Sequence, residues 1–278
     1  MTTKAMSKSK SIASQADRHS LYQNSVQDTD AELGFIEETF TNLNGRKLRL
    51  LREDFCGTAN TACDWVRRHK QNHAVGLDLD EEVLEWGRLN NVATLSDEQS
   101  KRIQIVHADV MQPPSQAVDA VIAMNFSYYL FKQRDQLRQY FRQVHASLVN
   151  DGIFFMDAYG GYEAHQELEE DRDCEDPEIG KFQYIWDQHS FNPINHHMNC
   201  QIHFKFPDGS KIQRAFDYDW RLWSLPELQE ILTEAGFSRV YVYWEGTDED
   251  SNEGDGVYSV ETEGDADAGW ICYLVAQH

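Results

Sequence analysis

The chain is poor in positive charge. Against 47 Asp and Glu stand 25 Lys and Arg, for a formal net charge of −22. A nucleic-acid binder draws much of its affinity from Lys and Arg that neutralise phosphates. No basic stripe is visible, so nucleic acid is not expected as a partner. Cysteines are few and poorly placed for bridging. Cys56, Cys63, Cys174, Cys200 and Cys272 are odd in number, scattered, and contain no C-x-x-C pair. That favours free thiols in a reducing compartment, and so a cytoplasmic protein, over disulfides or a zinc site. No apolar run approaches the ~20 residues that span a bilayer, so no membrane is expected either. The opening "MTTKAMSKSKSIASQADR" lacks the apolar core of a secretory signal and reads as part of a flexible tail over residues 1–20.

What is present describes a globular chain. Its 278 residues are 41% hydrophobic, 12% aromatic and 26% charged. That length suits one large domain, or one domain with a sizeable insertion. Apolar runs alternate with amphipathic segments. "KLRLLRED", "HAVGLDLD", "IQIVHADV", "AVDAVIAMNFS" and "GIFFMDAY" read as five strands. Between the fourth and fifth, Leu137, Tyr140, Phe141, Val144 and Leu148 recur at helical spacing over residues 133–148. Strands that alternate with helices argue for a mostly parallel sheet covered on both faces.

The pattern changes after Tyr159. An acid-rich stretch, "YGGYEAHQELEEDRDCEDPEIGK", reads as helix or loop. "FQYIWDQHSFN", "HMNCQIHFKFP" and "SKIQRAFDYDWRLW" then alternate apolar and polar residues around the turn "PDGS", which predicts an antiparallel meander. The meander is read as an inserted lid over residues 161–217, with the core formed by residues 21–160 and 218–278. "SLPELQEILTEAGF" opens with a capping box, Ser224 and Glu227, and stops at Gly236. Two strands follow, "SRVYVYWEG" and "GWICYLVAQ". The acidic stretch between them, residues 247–268, is expected to be a solvated loop.

The segment most informative about function is "LREDFCGTANTA". It follows the first strand and opens a helix, where an α/β sheet binds its ligands. Yet the three positions a dinucleotide loop fills with glycine hold Phe55, Gly57 and Ala59. No Gly-Lys-Ser/Thr follows, so a P-loop is excluded as well. Such a loop suits a ligand with ribose and adenine but no phosphate. Asp78 ends the second strand 21 residues after Gly57, where an acid can accept both ribose hydroxyls. Asp109 ends the third strand in "HADV", where it or the Val110 amide can read an adenine edge.

In this order the motifs resemble those of class I S-adenosylmethionine-dependent methyltransferases. "EDFCGTA" matches the first motif through Glu53, Cys56, Gly57 and Thr58; "GLDLD", "HADV", "DAVIAMNFSYYLF" and "GIFFMDAYGG" match those that follow. The resemblance covers roughly residues 35–160 and 220–278, and "LYQNSVQD" and "YDWRLWS" point to a small-molecule branch. It implies a Rossmann-like three-layer sandwich with a seven-stranded, mostly parallel sheet whose last strand is antiparallel. It implies S-adenosylmethionine as cofactor, held by Tyr22, Glu53, Phe55, Cys56, Gly57, Thr58, Asp78, Leu79, Asp109, Val110, Met124, Asn125 and Phe126. Phe55 is expected to pack against the methionine part.

The acceptor is expected to be a small molecule methylated on N or O by direct in-line displacement, beneath the meander. Tyr128, Tyr129, Tyr159, Tyr162, Tyr184, Trp186 and Arg221 are the candidate substrate residues, and Tyr129, His165 and Arg221 the candidate catalytic ones. Aromatics there would stabilise a sulfonium by cation–π contact. "NFSYY" differs from the Asn/Asp-Pro-Pro-aromatic motif used on planar amides, and the neighbouring His196 and His197 lack a third ligand at metal-site spacing. Two other readings compete. One is a cofactor-binding or scaffold protein without turnover; the other, a nicotinamide oxidoreductase, is weakened by the absent G-x-G-x-x-G.

Overall fold

A computed structural model describes residues 10–248 and 254–278. The first nine residues of the expected tail, and 249–253 of the acidic stretch, lie outside the described residues. Residues 10–20 are not a tail. A 3-10 turn at Ile12–Ser14 is pinned to the second half of the chain, where the Ile12 amide donates to Asp208 (2.9 Å) and the Ala13 amide to Ser210 (3.0 Å). Helix α1 (Arg18–Val26) starts immediately after, capped by Asp17, which accepts from the amides of His19 and Ser20.

Helix α2 (Thr29–Asn44) leads to strand β1 (Leu50–Asp54), and α3 (Asn60–Arg68) leads to β2 (His73–Asp78). Helices α4 (Glu81–Asn90) and α5 (Asp97–Ser100) precede β3 (Ile103–His107). β4 (Val118–Ala123), α6 (Arg134–Ser147) and β5 (Leu148–Gly160) complete a parallel half-sheet with neighbours β3-β2-β1-β4-β5. β4 and the middle of β5 are apolar almost throughout because both of their faces are covered, whereas β1 buries Arg52, Glu53 and Asp54. On one face Leu33, Ile36, Phe40 and Trp65 from α2 and α3 pack on Leu51, Ile122 and Phe155. On the other, Leu137, Tyr140, Phe141 and Val144 from α6 pack on Val121, Phe154 and Met156.

A separate antiparallel sheet follows: β6 (Leu168–Asp176), β7 (Gly180–Phe191), β8 (His197–Lys205) and β9 (Lys211–Arg221), in that order. The acid-rich stretch expected as helix or loop thus supplies β6, paired with β7 from Leu168↔Gln188 to Asp176↔Gly180. At a sheet edge, charged side chains cost little and discourage pairing with another chain. Leu21 of α1 packs into the core of this sheet with Phe182, Ile202 and Phe204. The helix therefore bridges the N-terminus to the meander.

Helix α7 (Leu225–Ala235) has the expected capping box between Ser224 and Glu227 and ends at Gly236, whose φ of 118° needs glycine. Strands β10 (Arg239–Thr247), β11 (Gly254–Val260) and β12 (Trp270–Gln277) finish the main sheet, ordered β11-β10-β12-β5-β4-β1-β2-β3. β12 runs antiparallel to both β5 and β10. The sheet has eight strands rather than seven, because β11 arises within the acidic stretch expected as loop. It pairs antiparallel with β10, Glu245 facing Tyr258. The Tyr258 ring packs on Tyr273 at 4.7 Å, an anchor hidden in the sequence by the surrounding acids. Among the described residues no helix is long and apolar enough to cross a membrane.

Candidate active site

The loop after β1 repeats one backbone feature at every second residue. Phe55, Gly57 and Ala59 have φ of 59°, 50° and 56°, all left-handed. Two of them carry a side chain, at a cost of ~1–2 kcal/mol each. Neighbouring groups hold the loop in this shape. The Cys56 amide donates to the Leu77 carbonyl (2.9 Å) and the Ala59 amide to the Cys56 carbonyl (2.7 Å). One Asp78 oxygen accepts from the Gly57 amide (2.7 Å), the other from the Asp80 amide (2.9 Å). From α1, the Gln23 side chain donates to Thr58 Oγ1 (2.6 Å); after α4, the Asn91 side chain donates to the Thr58 carbonyl (2.9 Å). Gly87 of α4 lets that helix approach, since a Cβ there would sit 2.7 Å from the Thr58 carbonyl carbon.

Glu53 is buried and faces the start of α3, where it accepts from the Ala62 amide at 2.9 Å. Burial pushes its carboxyl up to about 8, against the pull of the Ala62 amide and the Thr61 hydroxyl. The Phe55 ring anchors on Tyr140 (5.5 Å) and Phe131 (6.1 Å). Beneath it Arg52 and Asp54 form a buried ion pair, with the Tyr140 hydroxyl donating to Asp54 at 2.9 Å. Cys56 is buried with its thiol raised by desolvation, so it serves packing rather than chemistry.

A second strained turn lies at the end of β4. Asn125 and Phe126 are consecutive left-handed residues, with φ of 57° and 55°. Asp157 of β5 clamps both, one oxygen accepting the Asn125 amide (2.7 Å) and the other the Phe126 amide (2.9 Å). Burial pushes the Asp157 carboxyl up to about 7, opposed by those two amides.

The turn opens onto a cavity of about 790 Å³ between the main sheet, α1 and the meander. Its described walls hold ten aromatic residues, six carboxylates and one guanidinium, that of Arg172. Phe126 and Tyr159 pack at 4.7 Å on its inner side, and Tyr218 stacks on Trp220 at 4.4 Å opposite. Arg172 lies over the Tyr184 ring, 4.8 Å from its centroid, and donates to the Ser25 carbonyl.

Residues 55–152 match the family model described as a methyltransferase domain. The fold is that of a class I methyltransferase. A S-adenosylmethionine-dependent methyltransferase from Clostridium acetobutylicum superposes with a TM-score of 0.64 at 16% identity, covering 92% of this chain and 96% of that one. CalS10, a SAM-bound amino pentose methyltransferase from Micromonospora echinaspora, gives 0.65 at 12%, with coverage of 93% and 95%. The sugar N-methyltransferase KedS8 from Streptoalloteichus gives 0.64 at 14%, with coverage of 100% and 97%. No curated protein matches in sequence.

CalS10, of the same fold, is described with S-adenosylmethionine bound, and in this chain the residues at the ends of β1 to β4 are arranged as follows. A Cβ built on Gly57 would meet no atom within 4 Å, so the loop faces open space. Beside Asp78, Leu79 leaves an apolar side chain 66% exposed at the strand end. Asp109 keeps one carboxylate oxygen free, the other accepting from the Met111 amide, and adjoins the buried Val110. Met124 is buried next to the Asn125 turn.

Of the candidate acceptor residues, Tyr159, Tyr184 and Trp186 line the cavity, as do Tyr22, Asn125 and Phe126 from the cofactor set. Four candidates do not line it. Tyr128 and Tyr129 are wholly buried, their hydroxyls donating to the carbonyls of Asp157 (2.7 Å) and Tyr159 (3.2 Å), and burial raises both phenols far above the usual range. Tyr162 points outward, 60% exposed. Arg221 pairs with Glu227 (2.9 Å) at the head of α7 and lies over Trp223, 3.7 Å from the ring centroid. His165, the remaining candidate base, is also outside the cavity, against the rings of Phe191 (5.1 Å) and His196 (5.7 Å). The sequence reading missed Glu32, Asp157, Tyr218, Trp220 and Tyr273. Asp157 carried a legible signal, an acid at the apolar end of "GIFFMDAY", and Tyr218 and Trp220 lie within the "YDWRLWS" motif.

Gly87→Ala should press a methyl group into the Thr58 carbonyl. We expect a loss of about 1–3 kcal/mol in urea unfolding, together with weaker binding of S-adenosylhomocysteine by calorimetry. Wild-type behaviour in both would refute the close approach. Glu53 keeps its proton to about pH 8 in the folded chain but only to about pH 4 when unfolded. Its contribution to stability is therefore complete below the lower value and lost as pH rises through the higher. Between pH 6 and 9 the urea midpoint should fall less in Glu53→Gln than in wild type; equal slopes would contradict the assignment.

Proposed function

We propose that the chain is a S-adenosylmethionine-dependent methyltransferase that acts on an amine nitrogen of a small molecule. The observation that carries this reading is the cavity at the Asn125–Phe126 turn, aromatic in its walls and lined by six carboxylates against one guanidinium. Such a field draws in a cation and repels carboxylate or phosphate substrates. Aromatic faces add attraction for a cationic nitrogen and exclude water from it. The structural neighbours include an amino pentose methyltransferase and a sugar N-methyltransferase, which favours the same acceptor chemistry.

Asp78, with lone pairs left on both oxygens, would accept the ribose hydroxyls. Asp109 and Val110 would read the adenine, with Leu79 against its face. The backbone from Phe55 to Thr58 and Tyr22 would receive the methionine end. Glu53, already committed to the Ala62 amide, acts there by fixing the loop. When bound, S-adenosylmethionine supplies an electrophilic methyl on a sulfonium. The chain's own contribution is orientation: Asp157 locks the turn beside the acceptor, and the meander closes the cavity above it. No covalent protein intermediate is needed, because the leaving group is a neutral thioether. The five cysteines are unpaired, which fits the proposed cytoplasmic location.

Calorimetric titration with S-adenosylmethionine, repeated on Asp78→Ala, tests the cofactor half. Loss of the charged acceptor should weaken binding about tenfold or more. A panel of small amines, alcohols, phenols and carboxylates, scored by S-adenosylhomocysteine formation, tests the acceptor half. Turnover confined to oxygen acceptors would refute the amine reading.

A further inference from the structure

We infer that Glu32 is the residue that receives the acceptor amine and takes its proton. This rests on the amine reading above. Glu32 stands in the first turn of α2, a helix that none of the methyltransferase motifs touches, and its side chain lines the cavity with Tyr22, Asn125, Phe126 and Asp157. Its carboxylate makes no hydrogen bond or ion pair with any described residue. The other inner carboxylates are engaged. Both oxygens of Asp157 hold the turn, and Glu245 accepts from the Gly256 amide at 3.1 Å. Glu163, Glu170 and Asp171 belong to the meander side of the cavity, where Asp171 accepts from the Gln183 side chain at 3.1 Å, whereas Glu32 comes from α2 on the side of the main sheet. Glu32 is half-buried, so its carboxyl faces the cavity with no partner among the described residues and is free to take one from a ligand.

The surroundings set its proton affinity. Enclosure pushes Glu32 up to about 8, helped by Asp157 of β5, Glu53 of β1 and Asp28 at the head of its own helix. The phenols of Tyr22 from α1 and Tyr273 from β12 also face it. A carboxyl with this affinity releases its own proton when a cation binds beside it and, once ionised, can accept the proton of that cation near neutral pH. In the step, an N–H bond of the acceptor ammonium breaks, its electron pair stays on nitrogen, and the proton passes to Glu32. That pair forms the bond to the methyl carbon while the carbon–sulfur bond breaks, its electrons remaining on sulfur. The product is a methylated ammonium, and the Glu32 proton passes to solvent.

Two ligands test this without knowledge of the acceptor: S-adenosylhomocysteine, and sinefungin, which carries an ammonium where the reactive methyl would be. Calorimetry at pH 7 in two buffers of different ionisation enthalpy gives affinity and proton release for each. Wild type should prefer sinefungin by roughly tenfold and release close to one additional proton as Glu32 ionises beside the cation. Glu32→Gln should keep its affinity for S-adenosylhomocysteine, which also reports that it folds, while both the preference and the extra proton disappear. Glu38→Gln, on the exposed side of the same helix, should behave as wild type. Binding of both ligands with the preference unchanged in Glu32→Gln overturns the assignment alone. Binding of neither by wild type overturns the cofactor reading and the assignment with it.

Discussion

Phe55, Gly57 and Ala59 bend the chain left-handed at every second residue after β1, and this turn sets where the rest of the site lies. It reverses the chain from strand to helix within a few residues, so that the Gly57 backbone faces open space while Thr58 turns inward. Only one of the three positions has the residue that adopts this conformation freely. The cost of the other two is offset by bonds from β2, from α1 and from Asn91 after α4, and by the close approach that Gly87 permits. The second strained turn, at Asn125 and Phe126, is clamped by a single carboxylate. Strain of this kind persists where surrounding structure over-determines it, and both turns border the proposed cofactor site.

Electrostatics give the site its other character. Glu32, Glu53 and Asp157 are enclosed carboxyls whose proton affinities are raised by burial to about 8, 8 and 7. Near neutral pH they hold part of their charge in reserve. A cation entering the cavity would offset the cost of ionising them, so in the proposed reaction the acidic interior would serve binding at a cost in stability. Two of the three are committed to backbone amides, Glu53 at the head of α3 and Asp157 at the turn. On the proposal made above, what separates these two from Glu32 is what each carboxyl touches.

Much of this was legible in the sequence. The alternating strands and helices, the loop that joins β1 to α3, the acids at the ends of β2 and β3 and the capped α7 all follow from local patterns, because each depends on neighbours along the chain. What was illegible depends on neighbours in space. β6 and β11 were obscured by acids, whose composition argues for solvent while their alternation only weakly signals a sheet edge. Tyr128, Tyr129, Tyr162 and Arg221 lie next to site residues in sequence, yet their side chains point into the core, to solvent or onto Trp223. Glu32 sits in an N-terminal helix with no motif, and enters the site only because that helix packs beside β5 and β12. Phe55 and Ala59 looked like a damaged glycine loop; the backbone keeps the glycine conformation without the glycines.

Amide hydrogen exchange with and without S-adenosylhomocysteine would show whether this glycine-poor loop is a cofactor cradle. Exchange should slow at the loop of residues 55–59, the β2 end at 78–80 and the turn at 124–126. No protection at these three segments at saturating ligand, or protection only elsewhere in the molecule, would contradict it.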